Sequence, residues 1–200
     1  QLIVLLFNMN KANIHLNQTI EWEKYFKNMP DSKKDIYYSL EYYLLYKKYN
    51  NGEPQAYIFK KNGELAIYPF LYNSINELGY KLDKEYFDIQ GAYGYNGVIS
   101  TTCDKNFINE FYHSFDEYCY ENNIVTEFTR FHPLLNNVRF SDNHLKTELN
   151  RKTVYVDLSL ELEEIVSKFS KSNKRAIKKA KKNNIKIKIL KSGFLIDEFI

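Results

Sequence analysis

No apolar run in this sequence approaches the roughly 20 residues that a helix needs to cross a bilayer, so no membrane span is expected. The most apolar stretch, residues 2–7, has neither a basic flank nor a small-residue cleavage site, and it suits a buried strand better than a signal peptide. A cytoplasmic protein is therefore expected. Cysteine is nearly absent. Cys103 and Cys119 stand in unrelated contexts, without the paired spacing of a zinc site or a redox motif, and read as incidental or buried thiols. His15, His113 and His144 have no ligand-like spacing to one another or to the cysteines, so no metal is expected. The nucleotide-binding patterns G-x-G-x-x-G and G-x-x-x-x-G-K-[ST] are missing, as is the G-x-S-x-G nucleophile elbow. There is no internal repeat and no low-complexity linker.

What is present is enough for a core. With 44% hydrophobic residues over 200 positions, the chain can build one sizeable domain, or one full domain plus the start of another. Charged residues at 26% and a mean hydropathy of -0.52 describe a water-soluble chain. Tyrosine is abundant, with 18 residues beside 14 phenylalanines, but it accompanies many Lys, Asn and Ile residues that share AT-rich codons. A tyrosine is thus informative only inside an otherwise specific motif.

Residues 19–27 predict a helix with Ile20, Trp22, Tyr25 and Phe26 on one face and Thr19 as its cap, followed by a loop over 28–35. Residues 39–49 predict a second helix, closed by Asn50, Asn51 and Gly52. Asn62-Gly63 between two apolar runs predicts a hairpin of strands 55–60 and 64–70, with Pro69 at the strand's end or at an edge because it has no backbone donor. A strand over 85–89 leads into a turn with Gly91, Gly94 and Gly97. Phe107, Ile108, Phe111, Phe115, Tyr118 and Cys119 mark the clearest helix, and residues 124–128 read as a buried strand. Strands are expected over 152–158 and 185–190, with helices over 160–169 and 173–182, the latter with Ala176, Ile177 and Ala180 turned inward. The intermixing gives an α/β (α+β) fold class.

Three stretches can carry chemistry. Residues 168–191 hold 11 basic residues and no acidic one, against 25 acids elsewhere in the chain. Lys171, Lys174, Arg175 and Lys178 crowd the first turns of a helix that Ser170 or Ser172 could cap, which suits either phosphate binding or a plain solvated face. The turn from Asp88 to Gly97 reads as a structural turn or a ligand loop. Arg130-Phe131-His132-Pro133 follows a predicted strand, where α/β clefts open. There Arg130 could hold a carboxylate or phosphate and His132 could exchange a proton, or Arg130 pairs with Glu127 or Asp88 and His132 caps a turn.

Taken in order, Asp35-Ile36-Tyr37-Tyr38, then Asp88-Ile89 with Gly91-Ala92-Tyr93-Gly94-Tyr95-Asn96-Gly97, then Glu127-Phe128 with Arg130-Phe131-His132-Pro133 and Asn136, then Thr153-Val154 with Asp157-Leu158, and last Lys174-Arg175-Ala176-Ile177-Lys178-Lys179-Ala180, resemble the successive signatures of FemAB-related GNAT acyltransferases. The resemblance implies two GNAT-like domains, each a mixed sheet flanked by helices. Residues 1–150 would form the first and 151–200 the start of a truncated second, with the donor-binding strand and helix further on. It also implies transfer of an acyl or aminoacyl group, from acyl-CoA or aminoacyl-tRNA, to an amine of a cell-wall precursor or nucleotide-linked sugar. Tyr37, Tyr38, Tyr93, Tyr95, Arg130 and His132 would line or support the acceptor cleft. Lys174 or Arg175 would meet phosphates, and Asp88 or His132 are the weak candidates for a base. No cofactor is expected to reside in the chain. A charged tRNA as donor, or a catalytically silent binding module, are the competing expectations.

Overall fold

The computed structural model describes residues 10–14, 19–141 and 143–187, and the chain divides into two compact units, Gln1–Asn150 and Arg151–Ile200. In the first unit the elements run β1 (Asn10–Ile14), α1 (Thr19–Lys27), α2 (Leu40–Lys48), β2 (Glu53–Lys61), β3 (Glu64–Ser74), β4 (Phe87–Gln90), β5 (Ile99–Ser100), α3 (Lys105–Glu121) and β6 (Ile124–Phe128). They form a mixed sheet in the order β1-β2-β3-β4-β6, with short β5 paired to β3; β4 and β6 run parallel and the other pairs antiparallel. The expected strand over 2–7 lies outside the described residues.

The hairpin is the organising local element. Asn62 and Gly63 both take positive φ, +52° and +85°, the twist that lets a two-residue loop join strands paired at Lys61 and Glu64. Alternation along β2 and β3 then serves two cores. Ala56, Ile58, Leu65, Ile67 and Leu71 face α1 and α2, where Trp22, Leu40 and Tyr43 pack. Tyr57, Phe59, Ala66, Tyr68 and Phe70 face α3 and its stripe Phe107, Ile108, Phe111 and Phe115. Because both faces are covered, these strands read as unbroken apolar runs. Asp104 caps α3 by accepting from Phe107 N at 2.8 Å, Ser39 caps α2 by accepting from Tyr42 N at 3.3 Å, and Asn123 at φ +53° turns the chain out of α3.

Pro69 is neither at the end of β3 nor on an outer strand; it pairs with Ala56 in the middle of the hairpin. On its other side β3 is bonded to β5 at Ala66 and Ile67 and to β4 from Leu71 onward, so Pro69 falls where one partner gives way to the next. In a strand the N–H and C=O of one residue point the same way. Tyr43 donates its hydroxyl to the Pro69 carbonyl at 3.1 Å, which shows that the missing N–H faces this gap and costs the sheet no ladder bond. A second expectation is also corrected. β6 is an edge strand rather than a buried one, with Val125 58% and Phe128 62% exposed.

The second unit contains α4 (Leu162–Ser167) and α5 (Lys171–Lys182), with Ser170 capping α5 through Asn173 N at 3.2 Å. Residues 152–158 are not a strand. Val154 is 94% and Leu158 83% exposed, and no described strand lies beside them to take their backbone hydrogen bonds. Residues 185–187 are likewise not in a strand, and 188–190 lie outside the described residues. Within α5 nothing is buried, and Ile177, expected to turn inward, is 39% exposed. Every basic residue of α5 falls within about 160° of its circumference at about 100° per residue, leaving Ser172, Asn173, Ala176, Ile177 and Ala180 on the other side. Among the described residues no helix is long and apolar enough to cross a membrane.

Candidate functional site

Three segments far apart in sequence are tied together on the α1/α2 side of the sheet. Asp35 starts a 3₁₀ turn by accepting from Tyr37 N at 3.2 Å, and this turn drives Tyr38 into full burial. The Tyr38 hydroxyl donates to the Asn96 carbonyl at 3.3 Å and accepts from Asn137 Nδ2 at 2.9 Å. Asn137 Nδ2 also lies 2.8 Å from the Asn96 carbonyl and 3.2 Å from the Val98 carbonyl, its two protons shared among the three acceptors, while its Oδ1 accepts from His132 N at 2.8 Å. Asn96 N in turn donates to the Arg130 carbonyl at 2.6 Å. One buried amide side chain, Asn137, thus joins the tyrosine turn, the glycine loop and the Arg130 segment. Sequence reading missed Asn137, although it sits one residue beyond the motif that ends at Asn136.

The glycines of the loop are required by this packing. A Cβ on Gly94, at φ +111°, would lie 2.2 Å from Tyr37 Cε1, and one on Gly97, at φ +99°, would lie 2.7 Å from Asn137 Nδ2. These glycines therefore make room for neighbouring side chains, and the loop is first of all a structural turn.

His132 is buried and both of its ring nitrogens are engaged. Leu134 N and Leu135 N donate to Nδ1 at 3.2 Å each, so the proton sits on Nε2, which faces Asp35 Oδ2 at 3.3 Å. The ring caps a turn and holds the Asp35 segment, leaving no free nitrogen to take a substrate proton. Asp88 also stands apart. It shares its face of the sheet with Asn73 and Thr126, its Oδ1 is buried without a hydrogen-bond partner, and it does not line the pocket described next. Of the two candidate bases, His132 is occupied and Asp88 is remote from that pocket.

The pocket has a volume of about 250 Å³ and opens where β3 parts from β4. Leu71, Gln90 and residues 91–94 line it, with Tyr46, Asn51, Asn96, Phe128 and Arg130 around them. Among the described residues Arg130 is its only charged side chain. The guanidinium lies 6.0 Å from the Tyr93 ring centroid and pairs with no carboxylate among the described residues. Tyr42 donates its single hydroxyl proton to the Tyr93 carbonyl at 2.6 Å, so across the 3.3 Å contact between the two phenols Tyr46 is the donor. Tyr37 stands edge-on to Tyr42 and Tyr95, at 5.4 and 5.3 Å, and Tyr95 packs on His132 at 5.0 Å. Among the expected acceptor-site residues, Tyr93 and Arg130 line the pocket, whereas Tyr37, Tyr38, Tyr95 and His132 form its support. Asn96 Nδ2 is buried without a partner. The Tyr43 hydroxyl, which spends its proton on Pro69, lies 3.2 Å from the same amide, so turning that amide over satisfies the nitrogen internally.

Lys174 and Arg175 belong to the other unit. There Lys174 Nζ donates to the Ser167 carbonyl at 2.7 Å, closing the end of α4.

On the α3 side of the sheet lies an acid to which sequence reading gave a place in a motif and a pairing with Arg130, but no role of its own. Glu127 Oε1, the Tyr68 hydroxyl and Thr129 Oγ1 are in mutual hydrogen-bond contact, with Tyr68 at 2.5 Å and Thr129 at 3.0 Å from the carboxyl oxygen. Burial pushes Glu127 above the usual carboxylate range, with Tyr68 and Thr129 opposing and Asp116 adding to the rise. Cys119 is pushed up to about 12 by burial, then by Glu127 and Asp116, which makes it a poor nucleophile. Among the described residues no group of three His, Cys, Asp or Glu side chains could hold a metal ion.

No protein-family model, curated protein or solved structure matches this chain.

Proposed function

We propose that the chain is the acceptor-binding part of a FemAB-related, GNAT-like N-acyltransferase, which passes an acyl or aminoacyl group to an amine of a cell-wall precursor or a nucleotide-linked sugar. One observation carries this reading. Three of the five motif segments of the resemblance, 35–38, 88–97 and 127–136, are bound to one another through Tyr38, Asn96 and the adjoining Asn137 beside a pocket that Arg130 and Tyr93 border. Motifs that were only in the right order along the chain are also together in space, as parts of one site must be. The mixed sheet with helices on both faces is compatible with a GNAT-like domain, and the unit from Arg151 would belong to a second.

For such a transfer the acceptor amine must be held against the acyl carbonyl, so most of the rate comes from positioning, with one base to take the proton. This first unit would supply the positioning. With both His132 nitrogens engaged, the base belongs elsewhere in the complete enzyme.

The segregation of all α5 cations to one arc favours aminoacyl-tRNA as the donor over acyl-CoA. A row of cations suits a phosphate backbone, and the opposite face, with Ala and a single Ile, lacks the large apolar residues of a membrane-lying helix. Calorimetric titration of acetyl-CoA into the complete gene product tests the reading. Saturable micromolar binding supports acyl-CoA. Failure to bind it, together with tRNA binding that weakens steeply with salt, supports the tRNA donor. Binding of neither leaves a non-catalytic module and ends the acyltransferase proposal.

A further inference from the structure

We infer that the pocket beside Arg130 binds the oxyanion end of its ligand, a carboxylate or a phosphate carried on a small flat or ring-shaped group. The charge balance of the lining comes first. Among the described residues Arg130 is its only charged side chain, no acid lines the pocket, and the guanidinium pairs with no carboxylate. The guanidinium lies 6.0 Å from the Tyr93 ring centroid, a contact that consumes none of its N–H donors, and those donors can grip a carboxylate or phosphate with two parallel hydrogen bonds.

A second observation agrees. Tyr93 and Gly94 line the same pocket, and their backbone N–H groups find no acceptor among the described residues. Backbone donors left open beside a cation make an anion-binding concavity. The aromatic faces of Tyr46, Tyr93 and Phe128 provide walls for a ring. A volume of about 250 Å³ falls below the roughly 300–1,000 Å³ of pockets for drug-sized ligands, so a single small group fits.

An ammonium group is the wrong occupant, because it would meet a guanidinium with no carboxylate to offset the repulsion. Where the pocket serves acyl transfer, it therefore anchors the acceptor by its anionic end and leaves the amine outside. That last step rests on the proposed function; the anion site itself does not.

The test is a titration of the ¹⁵N-labelled chain with benzoate, with inorganic phosphate and with benzylammonium, followed by NMR at the Gly91 and Gly94 amides and the Arg130 Nε–H. Saturable shifts at these signals with benzoate mark a carboxylate site, and with phosphate a phosphate site. In either case benzylammonium gives none, and Arg130→Gln weakens binding by about tenfold or more. Arg130 is exposed and its side chain holds no other element, so the variant's remaining spectrum stays unchanged. Equal binding of benzylammonium, unchanged affinity in Arg130→Gln, or shifts confined to the lysines of α5 overturn the inference. A chain that binds benzoate at Arg130 but whose complete protein takes neither acetyl-CoA nor tRNA keeps the anion site and loses the acyltransferase reading.

Discussion

His132 and Asp35 face each other across 3.3 Å, and the same imidazole accepts two backbone N–H groups on its far nitrogen. A base poised for substrate would keep one nitrogen open; this one is committed to structure on both sides. His132→Ala should cost about 2–4 kcal/mol, because it leaves a cavity and the N–H groups of Leu134 and Leu135 unsatisfied. Asp35→Asn, which keeps an oxygen for Tyr37 N but turns an amide N–H toward the His132 Nε2–H, should cost about 1–2 kcal/mol. Urea denaturation of both variants checks the ordering, and the reverse order would mean that Asp35 is the anchor.

Gly94 and Tyr37 are so close that a methyl group cannot be added between them. Gly94→Ala should destabilise by about 2–4 kcal/mol, partly through the positive φ and partly through the clash. In a Tyr37→Ala background the clash disappears and the backbone strain stays, so the second cost should be clearly smaller than the first. A double-mutant cycle in urea measures the difference, and strictly additive costs would contradict the contact.

Glu127 links stability to pH. Its folded-state pKa lies above the ordinary 4.5, so the fold binds this proton more tightly than the unfolded chain does. The contribution of this group is then fully present below about 4.5 and is lost as pH rises through the folded value. Glu127→Gln keeps the shape without the charge. It should flatten that part of the pH profile and raise stability at neutral pH relative to the parent. Thermal melts of the two proteins from pH 4.5 to 8 decide it; parallel profiles would show that Glu127 does not titrate in this range.

The two cysteines should differ in reactivity. Cys103 is exposed, while Cys119 is half-buried with its thiol pushed up to about 12. Iodoacetamide at pH 8 should label Cys103 in the native protein and reach Cys119 only after denaturation, as peptide mass spectrometry would show. Native labelling of Cys119 would place it in a more open or more polar setting.

Much of this fold could be read in the residues because it is governed by local chemistry. Asn62-Gly63 gave the hairpin, the 3.6-residue stripe from Phe107 gave α3, and Thr19 and Ser39 marked helix starts correctly. Errors arose where a neighbour decides. Residues 152–158 have a strand-like pattern and no described strand beside them, and β6 looks apolar but ends the sheet. β1 went unseen because Asn10, Lys11 and Asn13 carry little strand signal; pairing with β2 supplies what propensity does not. At the site, motif order brought Tyr37, Tyr38, Tyr93, Tyr95, Arg130 and His132 onto one list, but only packing separates the rim from its support. Asn137 escaped because one asparagine among many has no periodicity to betray it.

Pro69 has one more consequence. The strands on either side of it part company at that residue, and the pocket begins at the next rung, Leu71 opposite Gln90. Its position is thus inherited from the sheet, whereas Tyr93, Phe128 and Arg130 at its mouth are exposed and tie into the fold through their backbone carbonyls rather than their side chains. Substitutions of those three side chains would therefore change what the pocket presents without touching the hydrogen bonds that set its position.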